Sequence, residues 1–202
     1  MAGIANDADV SMVEVLQLNF AYELLSLCTS VLISSETDVT LARNLEIYFP
    51  NFASTIRNIT FQAYFTRNGV VVYQGLMFAG MTGIFTGMKS DGFAITLNSR
   101  PGAVQHPLLS WLRQLTWGWR PSALLRHTLE STSTYEEALA MLKRKSVVTP
   151  TYFCLAGTAS QQATIVGKTL TSTKTTDMSS STWLMVQTND DSPADELAYL
   201  AS

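Results

Sequence analysis

The sequence predicts an α+β fold of stacked helices and largely antiparallel strands, and three observations carry that prediction. Apolar residues recur at three- and four-residue steps over residues 9–27, the mark of a helix. A β-rich block follows over residues 29–99, punctuated by Asn68-Gly69 and Asp91-Gly92. Helical texture returns between residues 106 and 145, before strands close the chain. A helix, a strand block, helices and further strands pack most simply as layers around one core.

Each element has its own reason. Val10, Val13, Leu16, Phe20, Leu24 and Leu27 share one face of the first helix, which Asp9 or Ser11 can cap. The period changes at Cys28: "TSVLISS" and "TLARNLEIYF", parted by the polar "ETD", read as a hairpin. In "TIRNITFQAYFTRNGVVVYQGLMFAG" the alternation places Ile59, Phe61, Ala63 and Phe65 on one face. Asn68-Gly69 there is a tight turn into Val70 and Val72. "GIFTGMKSDGFAITLNSR" continues the meander through a second turn at Asp91-Gly92. "HPLLSWLRQLTWGW" and "RPSALLRHTLES" read as helices with proline near the first turn. "STSTYEEALAMLKRK" is a third, with Ser133 and Glu136 spaced as a capping box and cations at its end. "TYFCLAGT", "QATIVG" and "TWLMVQTN" read as strands, and "KTLTSTKTTDMSSS", between the last two, as a loop.

Bulk properties exclude several classes. With 47% hydrophobic and 14% charged residues in 202, the chain can bury a core and is not disordered. A net charge of −3 and a pI near 5.3 leave no basic footprint for nucleic acid. No run of 18 apolar residues offers a membrane span, and "MAGIANDADVSM" lacks the basic and apolar regions of a signal peptide. Cys28 and Cys154 are too few for a disulfide framework, and Asn58-Ile59-Thr60 is a lone glycosylation triplet.

Most chemistry-bearing residues have ordinary structural readings. His106 and His127 are far apart with no spaced partner, so no metal site is expected. The glycines at 75, 80, 83 and 87 match no phosphate-cradling motif, so no nucleotide cofactor is expected and they read as close backbone contacts. Trp111, Trp117 and Trp119 read as core, or if exposed as an apolar or membrane-facing surface. Glu136 and Glu137 read as a solvated helix start. Cys28 has two readings, a small buried hydrophobe or a nucleophile. The second draws on the hairpin, which can bring residues 41–46 across from residues 28–33, and Arg43 with them. A guanidinium near a thiol favours its nucleophilic form. Asn44 and Glu46 share a register on that strand, and Asn189 ends a strand in "VQTND", where an amide can donate to an oxyanion.

These segments together resemble the acid ceramidase and N-acylethanolamine acid amidase family of N-terminal-nucleophile hydrolases. The carrying motifs are "NFAYELLSLCTS" (19–30), "ARNLE" (42–46), "FAGMTGIFTGMK" (78–89), "ITLNSR" (95–100), "STSTYEEALAML" (131–142), "PTYFCLAG" (150–157) and "VQTND" (186–190), in the family's order. The resemblance implies an αββα sandwich and a precursor that cuts itself between Leu27 and Cys28. Residues 1–27 would then close a small helical subunit, and residues 28–202 would open the large catalytic one. It implies that Cys28, its thiol served by its own freed amine, attacks the amide of an N-acylated lipid to release a fatty acid. Arg43, Glu46 and Asn189 are the implied supporting catalytic residues. No cofactor or metal is implied; the partners are a lipid amide and a membrane surface, and the setting is lysosomal or secreted. Two positions depart from the family: Glu46 stands for its aspartate and Ser99 for its glutamate. The family's pattern also extends beyond both ends of this chain. A catalytically impaired relative that binds lipid or a partner protein is the alternative.

Overall fold

Two antiparallel sheets face each other in the computed structural model, which describes residues 1–47, 50–100 and 118–190. The smaller sheet joins β1 (Ser26–Ser34), β2 (Val39–Ile47) and β10 (Leu184–Gln187) in the order β10-β1-β2. The larger runs in sequence order through β3 (Thr60–Arg67), β4 (Val70–Phe78), β5 (Thr86–Lys89), β6 (Phe93–Ser99), β7 (Thr151–Ala156), β8 (Ala163–Lys168) and β9 (Thr173–Asp177). Local chemistry explains the meander. Asn68 and Gly69 both take left-handed backbone, φ 52° and 80°, the geometry that joins two twisted strands in a two-residue turn. Asp91, at φ 57°, turns β5 into β6.

The small sheet lies over β6 and β7, and helices α4 (Pro121–Ser131) and α5 (Tyr135–Arg144) cover the opposite face. Every residue of β7 and β8 is therefore buried, and both strands are mainly apolar rather than alternating in polarity. On the helix side, Ile95, Leu97, Phe153, Leu155 and Val166 pack against Leu124, Leu125, Leu129 and Leu142. Each such side chain, fully buried, contributes roughly 1.5–3 kcal/mol. Gly83 lets α4 approach, because a Cβ there would collide with the Ser122 side chain. Between the sheets, Leu32, Tyr152, Cys154, Ile165 and Met185 form a second cluster.

The structure revises several sequence expectations. A further short helix, α1 (Ala2–Asp7), precedes the helix expected over residues 9–27, which is α2 (Met12–Leu25). Its expected core face is outward at Val10, Val13 and Leu16, whereas Val15 and Asn19 are buried. Asn19 sets that orientation: its amide donates to Val15 O (2.9 Å) and Gly80 O (3.0 Å), and accepts from Thr82 N (2.9 Å) and Thr82 Oγ1 (3.0 Å). The three bonds to Gly80 and Thr82 fix the helix's rotation more firmly than exposed valines oppose it. "TIRNI" is not strand but the end of α3 (Pro50–Ile59), whose first-turn proline favours helix and whose Ile56 reaches the core. The capping box falls one residue later, on Thr134 and Glu137, because Glu137 alone reaches back to the Thr134 N–H. The polar segment 168–181 contains β9, which its ladder to β8 holds in place of side-chain burial. His106, Trp111 and Trp117 lie outside the described residues; Trp119 stacks on His127, with ring centroids 4.6 Å apart.

Candidate active site

Cys28 is the third residue of β1, so it lies inside a strand rather than at the helix-to-strand joint. The register of β1 with β2 pairs Leu27 with Glu46, Cys28 with Leu45, Thr29 with Asn44 and Ser30 with Arg43. Opposed residues in an antiparallel pair share a face, and successive residues alternate. Cys28, Ser30 and Arg43 thus lie on the inner face, toward the large sheet, and Leu27, Thr29, Asn44 and Glu46 on the outer one.

Three of the residues singled out in the sequence meet there. Arg43 Nη2 donates to Cys28 Sγ at 2.9 Å, and its Nη1 to Thr86 Oγ1 at 3.4 Å. The guanidinium also lies 6.0 Å from the Phe85 ring centroid, and its buried Nε makes no hydrogen bond among the described residues. Asn189, just beyond β10, accepts the Cys28 backbone N–H through Oδ1 and donates from Nδ2 to Ser99 O at 2.6 Å. Those partners fix the amide's orientation, since an N–H needs an acceptor and a carbonyl needs a donor. The N–H that Asn189 holds belongs to the Leu27–Cys28 peptide bond. Cys28 is 2% exposed and Asn189 5%.

Glu46 is not brought into this group. Its carboxylate is exposed on the outer face, where it accepts from Thr29 Oγ1 (3.2 Å) and Asn44 Nδ2 (3.3 Å). Ser99 contributes its backbone carbonyl. Sequence reasoning missed Thr86, Ser30 and Asn98. Ser30 and Asn98 are fully buried behind the cysteine and linked by a 2.8 Å bond from Ser30 Oγ to Asn98 Oδ1. Their signal was weak, since β1 and β6 carry other polar residues, Thr96 among them at an inward position.

A cavity of about 360 Å³ opens beside Arg43, walled by Leu45, Ile56, Leu76, Phe78 and Phe85 with Arg57 at its edge. A second, of about 250 Å³, shares Leu76 and Thr86 with it. The first has the size and apolar lining of a small-ligand site. The other thiol, Cys154, is different in kind: burial pushes it up to about 12, against the opposing influence of Ser30 and Thr96. Among the described residues no group of three His, Cys, Asp or Glu side chains could hold a metal ion, and no helix is long and apolar enough to cross a membrane.

No family model matches the chain. It is 27% identical over 207 residues to the N-acylethanolamine-hydrolyzing acid amidase of Caenorhabditis elegans, covering 95% of this chain and 57% of that protein. To the acid ceramidase of Homo sapiens it is 28% identical over 210 residues, covering 95% and 52%. The chain thus spans about half the length of the curated relatives it matches. Among solved structures, the C. elegans N-acylethanolamine-hydrolyzing acid amidase ortholog superposes with a TM-score of 0.72 at 27% identity, over 82% of this chain and 71% of that one. The chain is a relative of the acid ceramidases and N-acylethanolamine-hydrolyzing acid amidases, with the α+β fold of the N-terminal-nucleophile hydrolases.

Proposed function

We propose that this chain carries the cysteine centre of an N-acyl lipid amide hydrolase that is activated by cutting its own Leu27–Cys28 bond. One observation carries the reading: Arg43 lies on the sulfur of Cys28 while Asn189 holds the N–H of the bond to be cut. Nucleophile, cation and scissile amide are within one hydrogen-bonded group.

In the cut, Cys28 Sγ attacks the Leu27 carbonyl carbon. The C–S bond forms, the C–N bond breaks, and the departing nitrogen takes the thiol's proton to become the amine of Cys28. Water then hydrolyses the thioester, leaving a Leu27 carboxylate and a free thiol. Residues 1–27 and 28–202 become two pieces of one precursor. In turnover the freed amine accepts the Cys28 proton, and the sulfur attacks the acyl carbonyl of the lipid amide. The proton passes to the departing amine, and water releases the fatty acid from the thioester. Arg43 places positive charge where sulfur and carbonyl oxygen gain negative charge. Asn189 Nδ2 carries two hydrogens, one engaged by Ser99 O; the other is the donor available to an oxyanion. Glu46, across from Leu27, keeps its carboxylate on the outer face with Thr29 and Asn44 and takes no part in these steps.

The apolar cavity suits an acyl chain, as expected if the substrate is a ceramide or an N-acylethanolamine. The relatives are acid enzymes by name, and an acidic working range in a lysosomal or secreted setting is proposed here too. Intact-mass analysis of the purified chain after acid incubation tests the reading. Two pieces meeting at Leu27/Cys28, abolished in Cys28→Ala, are expected; a single intact mass at every pH would overturn it. A second reading, a lipid-binding relative without catalysis, is favoured by the exposed Glu46 carboxylate and by Ser99 at the family's glutamate position. Lipid binding unchanged by Cys28→Ala, in a chain that never cuts, would select it.

A further inference from the structure

The ladder between β1 and β10 ends at the pair Ser30↔Gln187. Two residues further on each strand stand Cys28 and Asn189, where the next rung on the same face would fall. There the Asn189 side chain, not its backbone, takes the Cys28 N–H. What sets the position of Asn189 is therefore whatever fixes that last rung.

One side chain spans it. Asn98, on β6 of the facing sheet and 0% exposed, accepts from Ser30 Oγ at 2.8 Å through Oδ1 and donates from Nδ2 to Gln187 O at 2.8 Å. Gln187 O can only accept, so the amide has one workable orientation. Ser30 has a single hydroxyl proton, spent on Asn98, so Thr96 Oγ1 donates in its 2.9 Å contact with Ser30. Behind it, Thr151 Oγ1 donates to Asn98 O at 2.9 Å, tying β6 to β7. The next residue, Ser99, supplies the carbonyl that receives Asn189 Nδ2. Residues 98 and 99 thus hold β10 at two successive points, and both strands of the rung meet at one amide.

From this geometry we infer that Asn98, oriented by Ser30, is a positioning residue for the Cys28 centre. It sets Asn189 against the Cys28 amide without touching the reacting atoms. The catalytic consequence rests on the proposed self-cleavage, but the geometry can be tested without it.

Two variants and two readouts decide it. Asn98→Leu removes the donor at every pH and should slow the Leu27–Cys28 cut about a hundredfold, the scale of an ångström-level misplacement. Asn98→Asp keeps the acceptor for Ser30 but can donate to Gln187 O only when protonated. Burial and the facing carbonyl favour that form as pH falls. Its rate, as a fraction of wild type, should therefore approach one at about pH 5 and fall toward that of Asn98→Leu above neutrality. A purely structural role would not restore the rate with acid. The second readout is amide hydrogen exchange at Cys28 in the uncut chain, which should accelerate in Asn98→Leu relative to the Leu32 amide on the same strand. If the wild-type chain never cuts, the proposed function fails, and exchange at Cys28 still decides this point. Wild-type exchange at Cys28 in Asn98→Leu, or a wild-type cutting rate, would overturn the inference.

Discussion

Cys28 and Cys154 both point into the gap between the two sheets, at 2% and 0% exposure. Their neighbours separate them. Cys28 has a guanidinium on its sulfur and a side-chain amide on its nitrogen. Cys154 lies among Tyr152, Ile165 and Met185; the hydroxyls of Ser30 and Thr96 and the more distant charge of Arg43 pull its thiol down, but burial outweighs them and holds it protonated. Depth alone makes a cysteine inert; the proposed nucleophile is the one whose burial comes with a cation in direct contact.

The sharpest way to break this contrast is to exchange the losses. Cys28→Ala is expected to abolish both the Leu27–Cys28 cut and any acyl-enzyme, read by intact mass. Cys154→Ala should cut normally and cost about 1 kcal/mol of stability for the small void it leaves. Equal loss of cutting in both would erase the distinction.

Next in size are the partners of Cys28. Asn189→Ala is expected to lower the cutting rate by about 10²–10³, the range for losing one oxyanion-type donor. Arg43→Lys should lose nearly as much despite keeping the charge, because one ammonium cannot serve Cys28 Sγ and Thr86 Oγ1 from fixed directions. Single-turnover rates of precursor loss check both.

Titration gives a smaller, signed effect. The Cys154 thiol is raised from an ordinary value near 9 to about 12. Between these values the folded chain keeps a proton that the unfolded chain has lost, so stability falls as pH rises through that window. The stability difference between wild type and Cys154→Ala, from denaturant midpoints, should be constant below about pH 9 and shift against wild type above it. Glu46→Gln should matter least. An exposed carboxylate contributes at most about 1 kcal/mol, so a loss of cutting beyond about fivefold would place Glu46 inside the catalytic group.

Much of this was legible in the residues, for reasons that differ by element. The β1–β2 hairpin showed itself through its period of two and a polar turn, and its length brought Arg43 opposite Ser30, within reach of Cys28. That same period carries Glu46, three residues on from Arg43, to the opposite face; the resemblance, not the spacing, sets the two in one group. The rotation of α2 was illegible because it depends on Asn19 meeting the Gly80–Thr82 turn, some sixty residues away. Asn98 and Ser30 were passed over because, among the several polar residues of β1 and β6, each acquires meaning only from what lies across the sheet gap. β9 was hidden by composition, since a strand held by a neighbour's ladder need not bury its side chains.

The anchoring of α2 bears on the fate of the severed segment. Ser26 and Leu27 are paired with Ile47 and Glu46, and Asn19 docks the preceding helix by three hydrogen bonds to Gly80 and Thr82, none of which a break at residue 27 would touch. The released piece would stay seated, its new carboxylate resting beside the thiol that freed it. The first competitor for the centre would then be the chain's own discarded end. Turnover would wait on two residues peeling from β2, which makes maturation a matter of vacating the site as much as of breaking a bond.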